Sequence, residues 1–139
     1  MKFSVGDSAE ITRTIEQADL DAFAAVTGDH NPVHVDEEFA KTTRFRRRIA
    51  HGMLTASLIS AVLANHLPGE GSVYLGQTLQ FLAPVFPGDE ITARVTVLEI
   101  REDKPILKLE TVCVNQREET VIRGEATVLI HRLRRKESV

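Results

Sequence analysis

The sequence predicts an α+β fold in which an antiparallel sheet curls around one long apolar helix. Three observations carry this. From Met53 to Leu67 there is no Asp, Glu, Lys or Arg. Met53, Leu54, Leu58, Ile59, Val62 and Leu63 wrap most of the way around a helix, so the helix is expected to be buried on most sides. Beyond Tyr74 the chain reads as strands with half-buried alternation. Ile91, Ala93, Val95 and Val97 share one face, and Ile122, Ala126, Val128 and Ile130 oppose Arg123, Glu125 and Thr127. Such alternation belongs to antiparallel sheets with one wet face. One apolar helix and one apolar sheet face must bury each other.

The elements follow in order. Thr14-Ile15-Glu16-Gln17 reads as a capping box opening a helix, whose inward face is Leu20, Phe23, Ala24 and Thr27 and which stops at Gly28. Gly28-Asp29-His30-Asn31-Pro32-Val33-His34 is next; its proline fixes φ and biases the preceding residue away from helix, predicting a stiff non-helical turn. Asp36 caps a short helix through Glu37, Glu38, Phe39 and Ala40. Pro68-Gly69 ends the apolar helix. That helix is short of the ~20 residues a membrane span needs and carries Thr55, Ser57, Ser60, Asn65 and His66. The expected strands are Tyr74 to Leu82, Ile91 to Arg101, Ile106 to Gln116 and Val121 to Arg132. Turns at Pro84–Asp89 and Glu102–Pro105 separate the middle ones.

The chain of 139 residues is expected to be one domain, residues 1–131, followed by a basic, disordered tail, residues 132–139, with the run Arg132-Leu133-Arg134-Arg135-Lys136. A net charge of −3 gives no overall pull toward nucleic acid or anionic membrane. Cys113 is the single cysteine, which excludes an intrachain disulfide. In its apolar strand it reads as a small buried hydrophobe rather than a nucleophile, which wants an electropositive setting. Met1 to Asp7 has no apolar signal core, so a cytoplasmic protein is expected.

The Gly28–His34 turn concentrates the chemistry. It holds a carboxylate, a carboxamide and an imidazole on a rigid loop, as a proton-transfer site requires. His30 and His34 have the i, i+4 spacing of a helical zinc pair, but Pro32 between them argues against the helix that would align them, and no metal is expected. Arg44-Phe45-Arg46-Arg47-Arg48 reads as a solvated basic face or, more sharply, as a contact for phosphates.

Phe23-Ala24-Ala25-Val26-Thr27-Gly28-Asp29-His30-Asn31-Pro32-Val33-His34-Val35-Asp36 resembles the signature of the MaoC-like dehydratases, the hydratase-2 type (R)-specific enoyl-CoA hydratases. The resemblance extends to Ile49-Ala50-His51-Gly52-Met53, Tyr74-Leu75-Gly76-Gln77 and Pro84-Val85-Phe86-Pro87-Gly88-Asp89, and so covers nearly the whole chain. Leu67-Pro68-Gly69 and Arg101-Glu102-Asp103-Lys104-Pro105-Ile106 look closer to the small bacterial hydratases that link fatty-acid β-oxidation to polyhydroxyalkanoate monomer supply.

The resemblance implies a hot-dog fold and a homodimer with the acyl-CoA site at or near the subunit interface. The implied reaction is reversible addition of water to trans-2-enoyl-CoA, giving (R)-3-hydroxyacyl-CoA, with no cofactor. It also implies that Asp29 and His34 hold and activate the water and that Asn31 orients it. Ser60 matches a serine that lines the acyl site in similar hydratases. Gly52 stands just before the apolar helix, where free N–H groups and the positive dipole end point outward. Lacking a side chain, it lets a thioester carbonyl approach as an oxyanion donor would require. Two other functions fit a hot-dog chain: acyl-CoA thioester hydrolysis, and non-catalytic acyl-CoA binding. Neither nucleic acid nor membrane is an expected partner.

Overall fold

The computed structural model describes residues 2–130. The C-terminal basic run lies outside the described residues. The elements are β1 (Ser8–Thr14), α1 (Gln17–Thr27), α2 (Pro32–Val35), α3 (Glu37–Ala40), α4 (Gly52–Asn65), β2 (Val73–Gln77), β3 (Gln80–Phe81), β4 (Glu90–Ile100), β5 (Ile106–Val114) and β6 (Thr120–Leu129). The strands form one antiparallel sheet in the order β1-β4-β5-β6-β2, with β3 also on β6. α4 packs against β4, β5 and β1, which is the sheet-around-helix arrangement of the hot-dog fold.

The alternation read from the sequence sets the core. Ile91, Ala93, Val95 and Val97 of β4 are buried, as are Leu107, Leu109 and Cys113 of β5. Ile122, Ala126 and Val128 of β6 join them against Ile59, Val62 and Leu63 of α4. Each large aliphatic side chain so buried contributes about 1.5–3 kcal/mol. Val121 is buried beside Ile122, out of phase, because the β5–β6 register slips between Cys113 and Val114 and leaves Val121 as an extra residue. Burial alone pushes the Cys113 thiol up to about 12, so it is a structural hydrophobe.

The structure corrects five expectations. β1 is an additional edge strand, paired only with β4; its apolar content is limited to Ala9 and Ile11, too little to reveal alternation. The capping interaction of α1 lies two residues later than Thr14: the Glu16 N–H donates to Asp19 Oδ2 at 2.8 Å, and Thr14 stays in β1. The segment after Asn31 is not irregular: Pro32–Val35 is a single helical turn, with Asn31 as N-cap and Pro32 at its start. Proline lacks an N–H, and the first helical turn needs none, so Pro32 opens this helix rather than preventing it. Met53 is 57% exposed, so α4 has an open flank.

The last correction is that Tyr74 to Leu82 is two strands. The Thr78 carbonyl folds over Gly124, standing 1.8 Å from where a Cβ on that glycine would lie. Thr78 N–H donates to the Glu125 carbonyl, and Thr78 Oγ1 accepts from Glu125 N–H at 3.0 Å. A glycine inside a strand marks such a close approach.

Candidate active site

Three loops and the start of α4 meet at one end of the helix. α1 stops at Gly28, whose φ of 82° is left-handed, and the chain turns back through Asp29. The Asp29 N–H donates to Thr27 Oγ1 at 3.1 Å, and Asp29 Oδ1 accepts from the Asn31 N–H at 3.3 Å. Asn31 Oδ1 caps α2 by accepting from the Val33 N–H. The one-turn helix then carries His34, whose Nδ1 lies 2.8 Å from the Ile49 carbonyl. A carbonyl only accepts, so Nδ1 holds the proton and Nε2 is left free.

His51, the residue before α4, completes the cluster. It is 1% exposed. Its ring stacks on His34, with centroids 4.0 Å apart and planes 27° apart, and meets Phe23 at 4.8 Å. His51 Nε2 donates to the Asp29 backbone carbonyl at 3.1 Å, which leaves Nδ1 as an acceptor. Neither Nδ1 nor the buried Thr55 Oγ1 has a hydrogen-bond partner among the described residues. One polar atom from each of Asp29, His34 and His51 lies within 4.8 Å of the others. Two groups about 4–5 Å apart can share one water bonded to each at ~2.8 Å. A metal fits poorly. The two ring planes, stacked and only 27° apart, do not meet within the ~2 Å reach of a metal–nitrogen bond.

Burial holds the His51 imidazole below its usual value. The hydrogen bond to the Asp29 carbonyl and the Asp29 charge oppose the shift, and His34 and Arg48 add to it. The folded protein therefore favours neutral His51, whereas the unfolded chain protonates it near the usual ~6.5. This contribution to stability is whole above that value and is lost as pH falls through the lower folded-state value. The stability difference between the wild type and His51→Gln is therefore expected to change as pH falls from about 7.5 to about 5.5, with the wild type losing more. Urea titrations across that range check it; parallel pH curves would show that His51 is not the group responsible.

Arg48 is buried, which corrects the reading of the whole basic run as a solvated face or phosphate contact. Its Nε donates to the His34 carbonyl at 2.6 Å, and its terminal nitrogens donate to Asp21 Oδ1 at 2.6 Å and Gln17 Oε1 at 3.4 Å. One guanidinium thus ties α1 to the turn that carries His34. Asp21 is 63% exposed and rehydrates easily, so the charge pair itself is worth little. The bond from the buried guanidinium to the His34 carbonyl is worth more. Arg48→Ala is expected to lower stability by ~2–3 kcal/mol, read by urea unfolding. A loss below ~1 kcal/mol would mean that water replaces the clamp.

His34, Gly52, Thr55, Phe81 and Arg44 line one cavity of roughly 480 Å³. No acceptor among the described residues takes the Gly52 N–H at the start of α4. Ser60 is elsewhere: it lies on the exposed flank of α4 and lines a second cavity with Phe23, Ser57, Tyr74 and Gln77. Met53 borders both cavities. The structure therefore brings Asp29, Asn31 and His34 together with Gly52 nearby, and leaves Ser60 on the next cavity along the helix. His51 was not singled out from the sequence, although it sits in the Ile49–Met53 block beside Gly52.

The family model described as "MaoC like domain" matches residues 4–121. The chain is 51% identical to the (R)-specific enoyl-CoA hydratase of Aeromonas caviae over 124 residues, 89% of this chain and 92% of that one. It is 47% identical to the (R)-specific enoyl-CoA hydratase of Rhodospirillum rubrum, covering 90% of this chain and 86% of the other. Among solved structures, the (R)-hydratase from A. caviae involved in PHA biosynthesis superposes with a TM-score of 0.90 at 49% identity, covering 93% of this chain and 98% of that one. With the family's sequence blocks spread along the chain and its fold reproduced around them, the protein belongs to the MaoC-like family.

Proposed function

We propose that the protein is an (R)-specific enoyl-CoA hydratase that adds water reversibly to trans-2-enoyl-CoA and serves polyhydroxyalkanoate monomer supply. The observation that carries this is the cluster of Asp29 and His34, which place a carboxylate oxygen and a ring nitrogen within 4.8 Å of one another. Asp29 takes a proton from that water, and its hydroxyl oxygen bonds the β-carbon. The alkene electron pair moves to the α-carbon and thioester carbonyl, and the proton that Asp29 took from the water is then passed from its carboxyl to the α-carbon, which restores the carboxylate. His34 Nε2 holds the water through its free lone pair, and Asn31 fixes the Asp29 carboxylate through its N–H. The Gly52 N–H receives the developing enolate oxygen at the helix start, where such a donor is worth roughly 3 kcal/mol. No metal or other cofactor enters this chemistry.

Arg44, exposed and on the cavity wall, suits the CoA phosphates. Ser60 serves the acyl chain in the adjoining cavity. We further propose a cytoplasmic homodimer. Asp29 is exposed in the single chain, and the β2 edge presents Val73, Tyr74 and Leu75 to solvent. Apolar edges of this kind invite strand pairing, and a second copy would cover the open flank beside the site. No helix among the described residues is long and apolar enough to cross a membrane.

Incubation with crotonyl-CoA and a thiol reagent tests the reaction. Loss of the conjugated-alkene absorbance without thiol release, with (R)-3-hydroxybutyryl-CoA on chiral analysis, is expected. Thiol release without prior loss of the alkene would establish a thioesterase instead, and an (S) product would overturn the assignment. Light scattering of the purified protein tests the dimer.

A further inference from the structure

We propose that His51 is a positioning residue of this site, holding Asp29 by its backbone carbonyl and His34 by ring stacking, so that both face one water. The inference rests on the hydratase reading above. His51 is in contact with both residues that handle the water. It donates to the Asp29 carbonyl at 3.1 Å and stacks on His34 at 4.0 Å. Phe23 backs the ring on another side at 4.8 Å. It also immediately precedes Gly52 and accepts, through its own carbonyl, the N–H groups of Leu54 and Thr55 that begin α4. The oxyanion donor and the two water-binding groups are thus registered against each other through a single residue.

Packing alone does not account for an imidazole here. Its Nδ1 is buried without a partner among the described residues, as is Thr55 Oγ1 one helical turn on. A phenylalanine would fill the same aromatic stack without burying an unpaired ring nitrogen. What phenylalanine cannot do is donate to the Asp29 carbonyl. No backbone N–H among the described residues donates to that carbonyl in its place.

A positioning role is separated from a structural one by which group restores function. Glutamine places an amide N–H close to the imidazole Nε2, whereas phenylalanine keeps the ring and loses the donor. With wild-type hydration of crotonyl-CoA as the reference, His51→Phe is expected to lower kcat by about 10²-fold, the scale of a misplaced reacting group, with KM changed less than threefold. His51→Gln is expected to recover at least tenfold of that loss. Should His51→Phe not fold, His51→Asn, whose shorter amide falls short of the Asp29 carbonyl, takes its place in the comparison. Equal losses in the donor-bearing and donor-lacking variants, a loss carried by KM, or kcat within threefold of wild type in either donor-lacking variant would overturn the proposal. A wild-type protein that fails to hydrate crotonyl-CoA would instead remove the hydratase reading itself.

Discussion

Asp29→Asn is expected to reduce kcat for hydration by ~10²–10⁴-fold while leaving KM and the unfolding midpoint nearly unchanged. The substitution is informative because the loop can accept it. Asp29 Oδ1 already receives the Asn31 N–H, and an asparagine would turn its carbonyl oxygen to the same donor. Its NH₂ group would then stand where the second carboxylate oxygen was. That group has no lone pair for a water proton, so the base is lost while the turn is kept. Because Asp29 is exposed, little folding energy depends on its charge, and a change in thermal midpoint should stay within a few degrees. Steady-state kinetics with crotonyl-CoA, paired with a calorimetric scan and a binding measurement using the saturated butyryl-CoA, test this. Unchanged binding with lost turnover separates a catalytic base from an acyl-CoA-binding subunit. Turnover within tenfold of wild type would place the base elsewhere, and His34 Nε2 would be the next group to examine.

The sheet and the central helix were legible because they depend on periodicity. The buried face of β4 is the same four residues in the sequence and in the structure, and the uncharged run becomes α4 within a residue at its start and two at its end. β1 was not legible, because an edge strand with Ala9 and Ile11 as its apolar members carries too weak a period. The break inside Tyr74–Leu82 depends on a contact between Thr78 and Gly124, distant in sequence, which a local pattern cannot register.

The same division runs through the site. Asp29, Asn31 and His34 lie within six residues, so a short motif contains them. Arg48 and His51 act on that motif from later in the chain. Arg48 lay in a run of like charges, and its burial follows only from the neighbouring carbonyl of His34 and carboxylate of Asp21. His51 is identified by what it touches rather than by spacing. Met53 was expected inside because a helical wheel counts hydrophobicity without knowing where the sheet ends.

Gly52→Ala is expected to lower kcat by ~10²–10³-fold, the scale of losing one oxyanion donor, at little cost in stability. A Cβ at residue 52 would stand 2.6 Å from Phe81 Cε1 and 2.7 Å from Phe81 Cδ1, closer than carbon atoms tolerate. Phe81 is 53% exposed on the two-residue strand β3, so its ring can swing aside. Alanine also favours helix over glycine by about 1 kcal/mol, which offsets part of the strain, and the unfolding midpoint should move by only a few degrees. Function has no such compensation. Gly52 and Phe81 line the cavity that His34 faces, so both the new methyl and the displaced ring enter the space by which a thioester oxygen reaches the Gly52 N–H. Combining Gly52→Ala with Phe81→Ala separates the two effects. Activity is expected to stay low in the double variant, since the methyl remains beside the donor after the ring has gone. Recovery there would assign the loss to the ring, and near-normal turnover in Gly52→Ala alone would take the oxyanion role away from Gly52.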